Sequence, residues 1–83
     1  MYSVYILQNL KTSKLYIGHT DNLTRRIEEH NTGRGGTYTR YNGPWKLVYS
    51  ENHPNRSSAA QRERFLKSTK GSQEKKKLAG IIR

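Results

Sequence analysis

No cysteine occurs in the 83-residue chain, so neither a disulfide framework nor a thiolate metal site can brace it. A domain of this size buries only about 60–65% of the surface its unfolded chain exposes, so packing alone must hold a fold of marginal stability. The same absence suits a reducing compartment, and a cytoplasmic location is expected. Long apolar runs are missing too: nothing approaches the ~18 residues of a membrane span, and no charged segment followed by an apolar stretch opens the chain. One soluble domain over residues 1–83, without membrane association, is the expectation. Acidic residues are scarce, with six Asp and Glu against 16 Lys and Arg, which leaves a formal net charge of +10.

So much positive charge on so short a chain favours a polyanion that can release counterions on binding, and nucleic acid leads. A basic ribosome-associated fold, an anionic membrane surface and charge kept for solubility remain open at this point, because basic charge says nothing about chemistry.

Residues 2 to 8 alternate as a strand, with Tyr2, Val4 and Ile6 on one face and Ser3, Tyr5 and Leu7 on the other. After a polar turn from Asn9 to Lys14, Leu15 to Gly18 reads as a second short strand. A register pairing Tyr5 with Tyr16, Val4 with Ile17 and Ile6 with Leu15 makes one face aliphatic and puts both tyrosines on the other. Thr20, Asp21 and Asn22 offer N-caps for a helix of about ten residues, with Leu23 and Ile27 on one side and Arg26 and His30 on a neighbouring stripe. The glycines that follow Asn31 end it, and a basic loop runs through Tyr41. Trp45 to Glu51 reads as a third strand, closed by His53, Pro54 and Asn55. Ser58 and Gln61 form a capping box for a second helix running to about Thr69. Gly71 ends that helix, and Ser72 caps a last one whose Leu78, Ile81 and Ile82 face the core. The expected fold is α/β of the α+β kind: a three-stranded antiparallel sheet flanked by helices, in the order ββαβαα.

Ser3-Val4-Tyr5, Tyr16-Ile17-Gly18, Asn22-Leu23 with Arg26, His30-Asn31, the Trp45 to Tyr49 strand and a helix bearing Glu63 and Lys67 follow one another in an order that resembles the GIY-YIG nuclease family. Ser3-Val4 stands where the family has Gly-Ile, while the tyrosine is kept. The set is most similar to the small stand-alone bacterial members, and the family fold agrees with the one read from periodicity. The resemblance implies cleavage of a phosphodiester that depends on one Mg²⁺ or Mn²⁺ ion, with DNA favoured over RNA and a role in DNA repair or recombination.

Residue by residue, the resemblance makes Tyr5 and Tyr16 the motif tyrosines, with Tyr16 activating the water and Tyr5 positioning it. A phenol with an ordinary pKa of ~10 needs nearby positive charge to act as a base, which Arg26 can supply. Arg26 matches the arginine that grips the scissile phosphate, a task suited to a planar guanidinium. Glu63 is the expected metal ligand, with Glu51 as substitute; the plainer alternative for Glu63 is an i,i+4 ion pair to Lys67. His19 and His30 are the remaining catalytic candidates, His19 as a proton acceptor where related nucleases carry a lysine, whereas His53 reads as a loop residue. Arg34, Tyr38, Arg40 and Tyr41, together with Lys67, mix cations with aromatic rings in a way that suits phosphate contact and base stacking. Gly33-Arg34-Gly35-Gly36 is not a nucleotide-binding loop, since no strand precedes it and no helix follows. A metal-dependent endonuclease is therefore expected, with a non-catalytic basic nucleic-acid-binding module, or a nuclease subunit that needs a partner protein, as the alternatives.

Overall fold

A computed structural model describes residues 1–32 and 44–80. The elements run β1 (Tyr2–Asn9), β2 (Leu15–Thr20), α1 (Leu23–Thr32), β3 (Trp45–His53), α2 (Arg56–Lys67) and α3 (Ser72–Leu78), the ββαβαα order expected. They form one antiparallel sheet in the order β2-β1-β3, with β1 in the centre.

Both faces of β1 are covered, which is why four consecutive residues, Val4 to Leu7, are buried and none points to water. On one face Val4, Ile6 and Ile17 pack against Ala59 and Leu66 of α2, with Leu78 of α3 at the margin. On the other, Tyr5, Leu7 and Trp45 pack under Leu23 and Ile27 of α1, with Tyr16 beside them. The tyrosine face is thus a second small core, and Tyr5 is only 1% exposed.

The hairpin register differs from the expected one by two residues: Tyr5 faces Gly18, Ile6 faces Ile17 and Leu7 faces Tyr16. The turn decides this. Asn9 Oδ1 accepts from the backbone N–H groups of Lys11 (2.8 Å) and Thr12 (2.9 Å), and Ser13 donates to the Asn9 carbonyl at 3.0 Å with a left-handed φ of 63°. That closes the loop over residues 10 to 13 and forces Gln8 opposite Leu15. Side chains alternate with a period of two, so a two-residue shift leaves every residue on its expected face.

Other boundaries move for equally local reasons. β3 runs on to His53, with a register irregularity opposite Ile6 and Leu7. The cap of α2 is Asn55, whose side chain accepts from the Ser58 N–H at 2.8 Å, so the helix begins two residues before Ser58. It ends at Lys67, capped by Ser68, before Gly71. Gly71 instead sits at the N-cap of α3, so Ser72 is that helix's first residue, and a β-carbon on Gly71 would fall 1.9 Å from the Phe65 carbonyl oxygen. The chain can double back there only without a side chain. Ile81 and Ile82 lie outside the described residues.

Candidate active site

β2 is an edge strand, and the expected site residues gather on its two sides. On the α1 side, the Tyr5 hydroxyl reaches across β2 above Gly18, where a β-carbon would fall 2.5 Å from the phenolic oxygen. Glycine at this position is what gives the hydroxyl its place. The hydroxyl meets His30 Nε2 at 3.0 Å, and the Arg26 guanidinium is near enough to act on it. With its proton on Nδ1, a neutral His30 accepts at Nε2 from the Tyr5 hydroxyl. Arg26 also donates to Glu29 at 3.3 Å. The Tyr16 ring packs edgewise on His30, centroids 5.1 Å apart, and on Trp45, at 6.0 Å.

The residue after His30 anchors the end of the helix. The Asn31 amide takes both backbone groups of Trp45, accepting from its N–H at 2.9 Å and donating to its carbonyl at 3.0 Å. This two-point latch ties the end of α1 to the start of β3. Asn31 belonged to the family pattern in the sequence, but no local signal marked its partner fourteen residues away.

Burial pushes the Tyr5 phenol up to about 12; the Arg26 guanidinium pulls against it, and Tyr16 and Glu63 add to the rise. His30 is held below its ordinary value, by burial first and by the Arg26 charge second, against a smaller pull from Glu29. A neutral imidazole therefore faces a protonated phenol near neutrality. His30 Nδ1 is buried with no hydrogen-bond partner among the described residues.

On the α2 side, His19 alternates with Gly18 and so points to the opposite face from Tyr5 and Tyr16. Its Nδ1 lies 2.7 Å from Glu63 Oε1, while Lys67 Nζ holds Glu63 Oε2 at 2.8 Å, the i,i+4 ion pair considered from sequence. His19, Ala60, Glu63, Arg64, Lys67 and Ser68 line an open cleft of about 470 Å³. Burial raises the Glu63 pKa, but the hydrogen bonds from Lys67 and His19 outweigh it and hold the carboxyl below its ordinary value. Glu63 and Tyr5, although on opposite sides of β2, are close enough for the carboxylate charge to be felt at the phenol.

Among the described residues no three His, Cys, Asp or Glu side chains gather into a metal cluster. The residues present nevertheless fit one divalent ion. An ionised carboxylate on the wall of an open cleft is what Mg²⁺ requires when water and substrate phosphate fill its remaining positions. Glu51, the substitute candidate, is committed elsewhere: Tyr49 donates to it at 2.7 Å, Arg62 at 3.1 Å, and His53 contacts its second oxygen. His53 is accordingly no mere loop residue, since its other nitrogen meets the Ser58 hydroxyl and pins the end of β3 to α2. Arg34, Tyr38, Arg40 and Tyr41 lie outside the described residues. No helix among those described is long and apolar enough to cross a membrane.

The chain belongs to the GIY-YIG family: the family model described as the GIY-YIG catalytic domain matches residues 1–77. That membership implies nuclease chemistry on nucleic acid with a divalent metal. More particularly, the chain is similar to proteins named UPF0213. One from Clostridium perfringens is 50% identical over 64 residues, covering 77% of this chain and 68% of that protein. Another, from Streptococcus pneumoniae, is 34% identical over 76 residues, covering 92% of this chain and 76% of that protein. The solution NMR structure of a UPF0213 protein from Bacillus halodurans matches with a TM-score of 0.56 at 34% identity, over 94% of this chain and 85% of that one.

Proposed function

We propose that the protein is an endonuclease that hydrolyses phosphodiester bonds in DNA with one Mg²⁺ or Mn²⁺ ion at Glu63. The observation that carries this reading is the Tyr5 hydroxyl set over Gly18 between Arg26 and His30 Nε2, 3.0 Å away. A phenol pushed up to about 12 is a poor base alone, but here its proton already has an acceptor. As a water gives its proton to the Tyr5 oxygen, Tyr5 passes its own to His30, and hydroxide attacks the phosphorus. The roles expected of the two tyrosines therefore exchange: Tyr5 handles the proton, and Tyr16 orients the imidazole. Arg26 holds a phosphate oxygen and stabilises the charge that grows in the transition state. When bound, the ion supplies positive charge at the phosphate and the leaving 3′ oxygen. Lys67 moves from Glu63 to the substrate backbone, and Arg34, Tyr38, Arg40 and Tyr41 contact the nucleic acid beyond it.

One observation favours the alternative, a basic binding module without turnover or a subunit that waits for a partner protein. Both Glu63 oxygens are already engaged, one by His19 and one by Lys67. A cleavage assay on labelled duplex, branched and single-stranded DNA and on RNA, with Mg²⁺, Mn²⁺ or chelator, separates the readings. Metal-dependent cutting that Glu63→Gln abolishes supports the nuclease. Binding to every substrate with no cutting under any condition supports the module.

A further inference from the structure

Two carboxylate–imidazole contacts occur among the described residues, His53 with Glu51 and His19 with Glu63. They differ in what surrounds them. Arg62 is clamped between Glu51, at 3.1 Å, and Glu74, at 3.0 Å, so a fixed positive charge already occupies the first contact. The second opens on the cleft, and its cation is Lys67, a side chain half-exposed at 51% and paired with Oε2, the oxygen that His19 does not contact. Among the described residues no arginine pairs with the edge formed by His19 Nδ1 and Glu63 Oε1, although Arg64 also lines the cleft.

We propose that His19 is a second ligand beside Glu63 in the divalent-cation site, and that the nitrogen it supplies turns the site toward Mn²⁺ over Mg²⁺. The inference rests on the reading of Glu63 as the metal carboxylate. Two cis ligands of an octahedral ion with bonds of about 2.1–2.2 Å stand roughly 3 Å apart. His19 Nδ1 and Glu63 Oε1 stand at 2.7 Å, so a few tenths of an ångström of separation turns a shared proton into a shared ion. Metal binding then replaces that proton, with the imidazole in its neutral Nε2–H form.

The two donors come from packed elements. His19 follows Ile17 on the same face of β2, and Ile17 is only 4% exposed. Glu63 stands one turn from both Ala59 and Leu66, which fix α2 to the sheet. Side-chain exposures of 28% for His19 and 21% for Glu63 leave both reachable from the cleft. Mn²⁺ shares the Mg²⁺ preference for oxygen, but as a first-row transition ion it accepts an imidazole nitrogen more readily than Mg²⁺, which dehydrates reluctantly and keeps an oxygen shell. One nitrogen and one oxygen on the same edge therefore discriminate where a lone carboxylate does not.

The test is Mn²⁺ titrated into the full chain, read by electron spin-echo envelope modulation of the bound ion, which detects a coordinated imidazole nitrogen without any turnover. Wild-type protein is expected to show the nitrogen modulation, His53→Gln to keep it, and His19→Gln to lose it with Mn²⁺ affinity about tenfold lower or more. His19→Asp, which restores an oxygen ligand, is expected to bind Mn²⁺ without nitrogen modulation and to narrow the Mn²⁺ to Mg²⁺ affinity ratio. Bound Mn²⁺ that Glu63→Gln releases but that shows no nitrogen in wild type overturns the His19 assignment and leaves Glu63 standing. Nitrogen modulation surviving in His19→Gln overturns it as well. Mn²⁺ retained by Glu63→Gln removes the underlying metal reading and the inference with it.

Discussion

The Tyr5 hydroxyl occupies the space a side chain on Gly18 would need, within 2.5 Å of where its β-carbon would stand. Gly18→Ala must therefore displace the phenol from His30. Overpacking of this kind costs about 1–3 kcal/mol of stability. A misplacement near 1 Å is expected to cost about 10²-fold in cleavage. Thermal unfolding and single-turnover rates measured together decide it. A folded Gly18→Ala protein that cuts at the normal rate means that the hydroxyl over Gly18 is not used.

Tyr5→Phe keeps the ring in its core and removes only the oxygen, so cleavage should fall by about 10²-fold or more while binding of DNA is retained. Tyr16→Phe keeps the edge contact with His30 and should cost less than tenfold. The opposite order would return proton handling to Tyr16.

The imidazole of His30, lowered by burial and by Arg26, must be neutral to take the Tyr5 proton. Cleavage is expected to be constant near neutrality and to fall in acid, with a midpoint below 6.5, the ordinary value for histidine. A midpoint above that value in the rate profile with saturating metal would contradict the role. The sign for stability is the same: protonation is harder in the folded state, so this contribution is lost as pH falls below 6.5 toward the folded value.

Glu51 bears on acid stability alone. Burial raises its pKa, but hydrogen bonds from Tyr49, His53 and Arg62 outweigh that and depress it. The unfolded state binds the proton more readily, so the stabilisation is full above about 4.5 and is lost as pH falls through the folded value. Glu51→Gln is expected to lower stability at pH 7 by about 1–3 kcal/mol and to flatten the acid limb in denaturant titrations. An acid limb as steep as that of wild type would place the titrating group elsewhere.

Asn31→Ala removes both hydrogen bonds to the Trp45 backbone and is expected to cost about 1–3 kcal/mol, at roughly 1 kcal/mol per bond. Asn31→Asp keeps the acceptor and loses the donor, so it should fall between. Equal stability of all three proteins would deny the latch.

The order of elements was legible because each carries its own local signal: alternation in β1, the Asn22 cap before Leu23, the glycine before α3. Faces were legible as well, since the two-residue error in register preserves parity. The register itself was not, because it hangs on the Asn9 side chain and a left-handed Ser13, and several loops fit a polar run of that composition. The α2 cap was misplaced at Ser58, because Ser58 and Gln61 have capping-box spacing, whereas the structure uses Asn55, an equally competent acceptor three residues earlier. At the site, the shared stripe of Arg26 and His30 was legible from their four-residue spacing, but the Tyr5–His30 contact and the depth of Tyr5 were not, since both depend on α1 closing over the hairpin. The partner of His19 lies 44 residues away, and only the packing of α2 on the sheet brings it there.

The placement of β2 has a further consequence. Among the described residues no strand pairs with its outer margin, and chemistry assigned to both sides of it can act on one phosphate only while that margin stays open. A strand from another protein, zipped onto β2 by backbone pairing, would wall off the notch at Gly18 without touching a single catalytic side chain. An inhibitor of this fold need not resemble nucleic acid at all; an extended peptide of matching length would suffice.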